Sequence, residues 1–141
     1  MFSTNQSGVL LATEHLDEKE RVLLCVNASL KKKAKDLVIL NVKTLTSFTD
    51  YFIICSGTSD RQVQAIASSI QESLKEFGII PLGMEGEKLG KWVLMDYDDV
   101  IIHIFYEPIR EFYEIERLWS DAPRMEIGGD ITELSALDKG M

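Results

Sequence analysis

Two aspartates separated by a single residue, Asp96 and Asp98, have the spacing in this sequence that most resembles a metal site. Paired carboxylates hold divalent ions in nucleotidyltransferases, where the metal assists phosphoryl transfer. In those enzymes a Gly-Ser turn lies shortly before the acidic pair, whereas here about 38 residues lie between Gly57 and Asp96. Aspartate is also a common turn residue for reasons of local hydrogen bonding. The long spacing therefore argues against a metal site. A metal-dependent nucleotidyltransferase, with both aspartates beneath the Gly57 loop, is kept as the alternative to a protein without catalytic activity.

Three further features could support chemistry, and each has a simpler structural interpretation. Residues 56–59 (Ser-Gly-Thr-Ser) could bind an anion at a helix start, but they lack the lysine of a phosphate-binding loop and predict a turn and cap. His103 and Cys55 could form a nucleophilic dyad, although nothing in the sequence brings them together. Cys25 and Cys55 lie in apolar segments without metal-ligand spacing, which predicts buried free thiols. We expect no catalytic residue, no metal and no cofactor.

The charge of the chain indicates the kind of partner it would attract. It has 141 residues, 15 basic and 23 acidic, for a formal net charge of −8. Such a field repels nucleic-acid phosphates and favours a basic partner. Ten of the acids and only four bases fall between Glu85 and Asp121. A lysine cluster opposes this trend and predicts a secondary RNA contact at most; it consists of Lys31, Lys32, Lys33 and Lys35.

Nothing in the sequence predicts a membrane segment. No apolar run reaches the length of a membrane span, and the first residues lack the features of a signal peptide. We therefore expect a soluble, cytoplasmic protein that makes no membrane contact.

Hydrophobic periodicity predicts the order α-β-β-α-β-β-β-α. We expect a loose arm over 1–16, one domain over 17–124 and a tail over 125–141. The patterns Asp17/Glu20 and Ser59/Gln62 predict capping boxes that begin two helices. Five strands are predicted, at 36–42, 51–56, 79–82, 92–96 and 100–106, and a last helix is predicted between Pro108 and Trp119. This alternation indicates an α/β domain whose mixed five-stranded sheet is flanked by helices.

An aromatic side chain surrounded by carboxylates suggests a binding surface. Trp92, Leu94 and Asp96 share one face of a predicted strand. An aromatic anchor with charged neighbours is typical of protein-binding hot spots. The candidate partner-binding residues are Glu85, Glu87, Trp92, Leu94, Asp96, Tyr97, Asp98, Asp99 and His103.

Several of these segments resemble the ribosomal silencing factor family, also called Iojap-like. The matching segments are TDYFIICSGTS at 49–59, QV at 62–63, AIA at 65–67, GxEG at 83–86, WVL at 92–94, DVIIHIF at 99–105 and RxFYxIExLW at 110–119. The resemblance implies a nucleotidyltransferase-like scaffold that lacks the catalytic carboxylates. It also implies binding to the basic L-fourteen protein of the large ribosomal subunit, which blocks joining of the small subunit and represses translation. Organelle members act in large-subunit assembly.

Two positions depart from the family pattern. Asn41 stands where the family often has aspartate, and Asp98 stands where it usually has glycine. Because glycine adopts positive φ more readily than aspartate, the second departure bears on the conformation of the 96–99 turn. The sequence leaves open whether the free protein forms a homodimer.

Overall fold

The computed structural model of the protein describes residues 16–127 and 134–136. The helices are α1 (Glu18–Lys31), α2 (Asp60–Lys75), α3 (Glu107–Tyr113) and a 3₁₀ helix (Ile115–Trp119). The strands are β1 (Lys35–Asn41), β2 (Tyr51–Gly57), β3 (Gly83–Glu85), β4 (Trp92–Asp96), β5 (Val100–Tyr106), β6 (Arg124–Ile127) and β7 (Leu134–Ala136). The expected N-terminal arm lies outside the described residues except for its last residue.

The two long helices begin at the predicted caps. Asp17 and Glu20 form the predicted capping box, in which each side chain accepts a hydrogen bond from the other residue's backbone N–H. Ser59 Oγ accepts a hydrogen bond from the Gln62 N–H at 3.1 Å, as the predicted capping box requires. The reciprocal bond, from the Ser59 N–H to the Gln62 side chain, was predicted wrongly. The Gln62 side chain instead accepts from the Thr58 N–H at 2.6 Å, and its amide donates to the Lys32 and Lys33 carbonyls. Gln62 thereby connects the start of α2 to the end of α1.

The strands form one mixed sheet in the order β3-β4-β5-β2-β1-β6-β7. The pair β2–β5 is parallel and the other pairs are antiparallel, so the predicted α/β architecture is confirmed. The expected number of five strands is wrong, because β6 and β7 extend the sheet beyond β1. Apart from Arg124, the residues of these two strands lie in the segment expected to be a tail, 125–141.

The strand predicted at 79–82 is also misplaced. The Ile79 N–H donates to the Leu74 carbonyl and so helps to end α2, with Gly78 at φ 74° beside it. Pro81 has no N–H to give to a ladder. Pairing with β4 therefore begins only at Leu82, whose N–H donates to the Asp96 carbonyl at 2.7 Å.

The two faces of the sheet are covered unequally. Helices α1 and α2 pack on one face over a fully buried core that includes Ile53, Ile102 and Met95. The opposite face carries a second apolar cluster around Phe52 and Phe105, which α3 and the 3₁₀ helix cover only in part. We refer to this second side as the open face.

The last predicted helix is divided in two. Glu114 has the left-handed values φ 47° and ψ 48°, which end α3 before the 3₁₀ helix begins. Beside the break, Arg110 donates through Nε and Nη2 to both Glu116 carboxylate oxygens at 3.1 and 2.9 Å, and through Nη1 to Ser56 Oγ at 2.8 Å. These bonds fasten the connection to the end of β2.

A candidate binding surface on the open face

Strand register places five of the candidate residues on the open face. Along β4, the buried residues Val93 and Met95 alternate with half-buried ones. Trp92, Leu94 and Asp96 therefore share one side of the strand, as predicted. Leu94 pairs with His103 on β5 and with Glu85 on β3. Residues paired across a ladder lie on the same face, so all of these side chains belong to the open face.

Trp92 is held in position by several neighbours. Its ring centroid lies 4.8 Å from that of Phe105 and 5.1 Å from that of Tyr113. Its indole Nε1–H donates to His103 Nδ1 at 3.1 Å. Trp92 remains half-buried, so part of a rigidly held aromatic surface is available for contact.

An apolar groove of about 290 Å³ lies beside Trp92. Its lining consists of Phe48, Phe52, Leu94, Ile101, His103, Ile115, Leu118 and Trp119. Phe48 is 57% exposed and Leu118 is 79% exposed, although both are large apolar side chains. A contiguous patch of exposed large apolar side chains indicates an interaction surface, and these two line the same groove. His103 is the one titratable side chain in this lining.

The groove joins a more polar cavity on each side. Phe48 also lines a cavity of about 330 Å³ whose other residues are Ser47, Thr49, Asp50, Asp98 and Asp99. On the other side, Leu94 lines a cavity of about 340 Å³ with Glu85, Gly86 and Trp92. We refer to these three adjoining cavities as the candidate surface. Its centre is apolar, one end carries three aspartates, and the other end carries Glu85 beside Trp92.

The structure separates Tyr97 from the other candidates. Its side chain is 3% exposed and packs with the helix-covered core, on the face opposite Trp92. Burial raises the pKa of its hydroxyl. The expectation that Tyr97 contributes its side chain to a binding surface is therefore wrong, because the alternation of β4 continues through residue 97 and directs it inward.

The remaining acidic candidates differ in their surroundings. Glu85, Glu87 and Asp98 are exposed. Asp99 is half-buried and forms an ion pair with Arg21 at 3.4 Å, so part of its charge is already compensated within the chain. Asp96 accepts a hydrogen bond from the Asp98 N–H at 2.8 Å.

The predicted tight turn between β4 and β5 is present despite the absence of glycine. Asp98 adopts φ 77°, and the Tyr97 N–H donates to the Val100 carbonyl at 2.9 Å. The Asp96 side chain supports this conformation through its bond to the Asp98 N–H. Turn formation therefore accounts for both aspartates of the D-x-D pattern.

The two arrangements considered for catalysis are not assembled. Gly57 pairs with Tyr106 on β2–β5, whereas Asp96 pairs with Ile101, so roughly 17 Å of β5 separates the two levels. Cys55 faces the core under the helices, where burial raises its thiol pKa to about 12, and His103 faces the opposite side. Within residues 16–127 and 134–136, no group of three or more His, Cys, Asp or Glu side chains is arranged to hold a metal.

An acidic pair lies behind the Phe48 loop. Asp50 and Glu18 share a hydrogen bond between their carboxyl groups, which raises the pKa of Asp50 to about 6 and lowers that of Glu18. Glu18 also forms an ion pair with Lys43. These contacts join the start of α1 to the loop that presents Phe48.

Some residues of the surface were not predicted from the sequence. Phe48 lies in a Ser/Thr-rich loop, where an exposed aromatic residue was the available signal. Leu118 lies in the 3₁₀ helix, which begins after the left-handed Glu114, a break that the sequence pattern does not predict.

The architecture places the chain in a class of mixed-sheet α/β domains that is known from solved structures. One of these, the crystal structure of a protein from Chromobacterium violaceum, superposes with a TM-score of 0.70 at 40% identity, over 72% of this chain and 84% of that one. Among the described residues, no helix combines the length and apolarity needed to span a membrane.

Sequence comparison narrows the class to one family. The family model described as "Ribosomal silencing factor during starvation" matches residues 15–139, and the chain belongs to that family. It is 41% identical over 117 residues to ribosomal silencing factor RsfS of Halalkalibacterium halodurans, covering 83% of this chain and all of the relative. It is also 28% identical over 110 residues to mouse mitochondrial assembly of ribosomal large subunit protein 1, covering 76% of this chain and 48% of that protein. The resemblance to this family is thereby confirmed.

Proposed function

We propose that the domain binds the large ribosomal subunit through its L-fourteen protein and sterically blocks association with the small subunit, repressing translation. The observation that supports this most directly is the candidate surface, in which an exposed apolar groove that includes Leu118 continues to Trp92 and has acidic side chains at both ends. A basic ribosomal protein complements both properties.

Membership in the silencing factor family supports the regulatory part of the proposal. A relative named for assembly of the mitochondrial large subunit supports that subunit as the target. The mechanism requires no bond to be made or broken, since a domain seated at the contact region excludes a second large body from the same space.

The charges and the apolar centre have different roles in this proposal. The acidic groups Glu85, Glu87 and Asp98 are exposed and accelerate encounter with a basic partner while fixing its orientation. Trp92 and Leu94 supply the desolvated contact on which residence time depends. Nanomolar affinity corresponds to about −12 kcal/mol, most of which would come from such a centre.

Two secondary contacts remain compatible with this arrangement. The exposed lysines between the end of α1 and the start of β1 would touch RNA once the domain is bound; they are Lys31, Lys32, Lys33 and Lys35. A homodimer of the free domain would cover apolar surface in the absence of the ribosome. Sedimentation equilibrium of the isolated protein would determine whether it forms.

Binding is tested by co-sedimentation with isolated large subunits. Leu118→Asp adds a charge to the candidate surface at a side chain that is 79% exposed, so folding should be preserved. Ile80→Asp is the matched control, since Ile80 is 69% exposed and does not line the surface. We expect Leu118→Asp to lose co-sedimentation and Ile80→Asp to retain it. Equal binding by both variants would place the interface elsewhere.

A further inference from the structure

His103 has a defined tautomer in this structure. The indole nitrogen of Trp92 carries a hydrogen and can only donate, so His103 Nδ1 at 3.1 Å must be the acceptor. A ring nitrogen that accepts a hydrogen bond is unprotonated. Burial also lowers the pKa of His103 to about 4, so the ring is neutral at pH 7. The single ring proton therefore resides on Nε2.

The ring itself is fixed by its neighbours. Phe52 contacts it edge-to-face with centroids 5.4 Å apart, and Phe105 lies nearly parallel to it at 6.1 Å. His103 is only 8% exposed. Rotation of the ring would break the bond to Trp92, so the position of the Nε2–H is determined by the fold.

This Nε2–H has no hydrogen-bond partner among the described residues. It is also not one of the fully buried unpaired polar atoms there, which are Arg21 Nε and the Tyr97 hydroxyl. Since His103 lines the groove, the small part of it that reaches solvent does so through the groove. A partner that fills the groove removes this solvent and must satisfy the donor or leave it unpaired.

We propose that His103 Nε2–H is a specificity-determining donor, and that the groove accepts a large apolar side chain of the bound ribosomal protein together with a neutral hydrogen-bond acceptor beside it. This inference rests on the proposed function and names what the partner must present there. A volume of about 290 Å³ is at the lower limit for small-molecule pockets and suits a side chain.

The acceptor is assigned as neutral because of the surrounding charge. Asp50, Asp98 and Asp99 line the adjoining cavity, and Glu85 lies at the other end of the surface. A carboxylate placed among them would be repelled. A backbone carbonyl, an amide oxygen or a hydroxyl oxygen satisfies the donor without that cost. An all-hydrocarbon contact would leave a buried unpaired N–H and is rejected.

Two substitutions separate the two nitrogens of His103. His103→Asn retains an acceptor near the Nδ1 position for Trp92 but has no group at the Nε2 position. His103→Gln reaches the Nε2 position with an amide donor but loses the Nδ1 acceptor. For isolated L-fourteen protein in titration calorimetry, we expect about 10-fold weaker binding by His103→Asn and a change of less than about 3-fold for His103→Gln.

A measurement on the unmodified protein complements these variants. Nitrogen-15 NMR of the histidine ring should show the Nε2–H tautomer in the free domain, with slower exchange of this proton and a downfield shift when L-fourteen protein is added. Wild-type binding with an unchanged Nε2–H signal would overturn the inference, as would equal affinity of wild type and His103→Asn. Failure of wild type to bind at all would instead refute the proposed function on which it rests.

Discussion

Replacement of Trp92 by alanine removes one of the two tryptophan side chains of the candidate surface. In the free domain it eliminates the ring contacts to Phe105 and Tyr113 and the hydrogen bond to His103. Truncation of a buried tryptophan costs about 3–5 kcal/mol, and Trp92 is half-buried, so we expect a loss of about 2 kcal/mol in unfolding free energy. If Trp92 is a hot spot, binding loses at least about 2 kcal/mol as well, a 30-fold rise in Kd.

Trp92→Phe provides the matched control, because it keeps a six-membered aromatic ring and loses the fused five-membered ring together with the indole N–H that donates to His103. We expect it to cost about 1 kcal/mol of stability through the lost bond to His103 and to change Kd little. Urea unfolding gives the stability of each variant, and titration calorimetry with L-fourteen protein gives its Kd. Native circular dichroism of Trp92→Ala together with an unchanged Kd would refute the assignment of the binding centre.

Three further outcomes are expected. The association rate with L-fourteen protein should fall as salt rises from 0.1 to 1 M, where the screening length shortens from about 10 to about 3 Å; a salt-independent rate would contradict acidic steering. Because the folded-state pKa of Asp50 is raised to about 6, its protonation stabilises the fold fully below pH 3.8, and this contribution is lost as pH rises through 6. Asp50→Asn should remove that pH dependence in urea unfolding between pH 4 and 7; an unchanged profile would contradict the shared proton. Arg110→Met should destabilise by about 2 kcal/mol by leaving Glu116 unpaired, and addition of Glu116→Gln should recover part of the loss; no recovery in urea unfolding would contradict the pairing.

Much of the fold could be predicted because the decisive signals were local. The capping residues Asp17 and Ser59, which begin α1 and α2 as predicted, each act within a single helical turn. Period-two alternation correctly placed Trp92 with Leu94 on one face of β4. The same alternation assigns Tyr97 to the opposite face. Its position between Asp96 and Asp98 suggested a binding residue, although the alternation already predicted a buried side chain.

The errors arose where distant parts of the chain decide the structure. Strand β6 forms by pairing with the free edge of β1. The paired residues are about 85 positions apart in the sequence, so no local pattern reveals this pairing. The break at Glu114 accompanies the bonds of Arg110 to Ser56 and Glu116, which depend on tertiary contact. The unpaired Nε2–H of His103 likewise becomes evident only when its bond to Trp92 is known.

Subunit association, followed by light scattering, tests the central claim most directly. Large subunits preincubated with saturating wild-type protein should fail to join small subunits, and Trp92→Ala at the same concentration should permit joining. Normal joining while the wild-type protein remains bound to the large subunit would contradict steric exclusion.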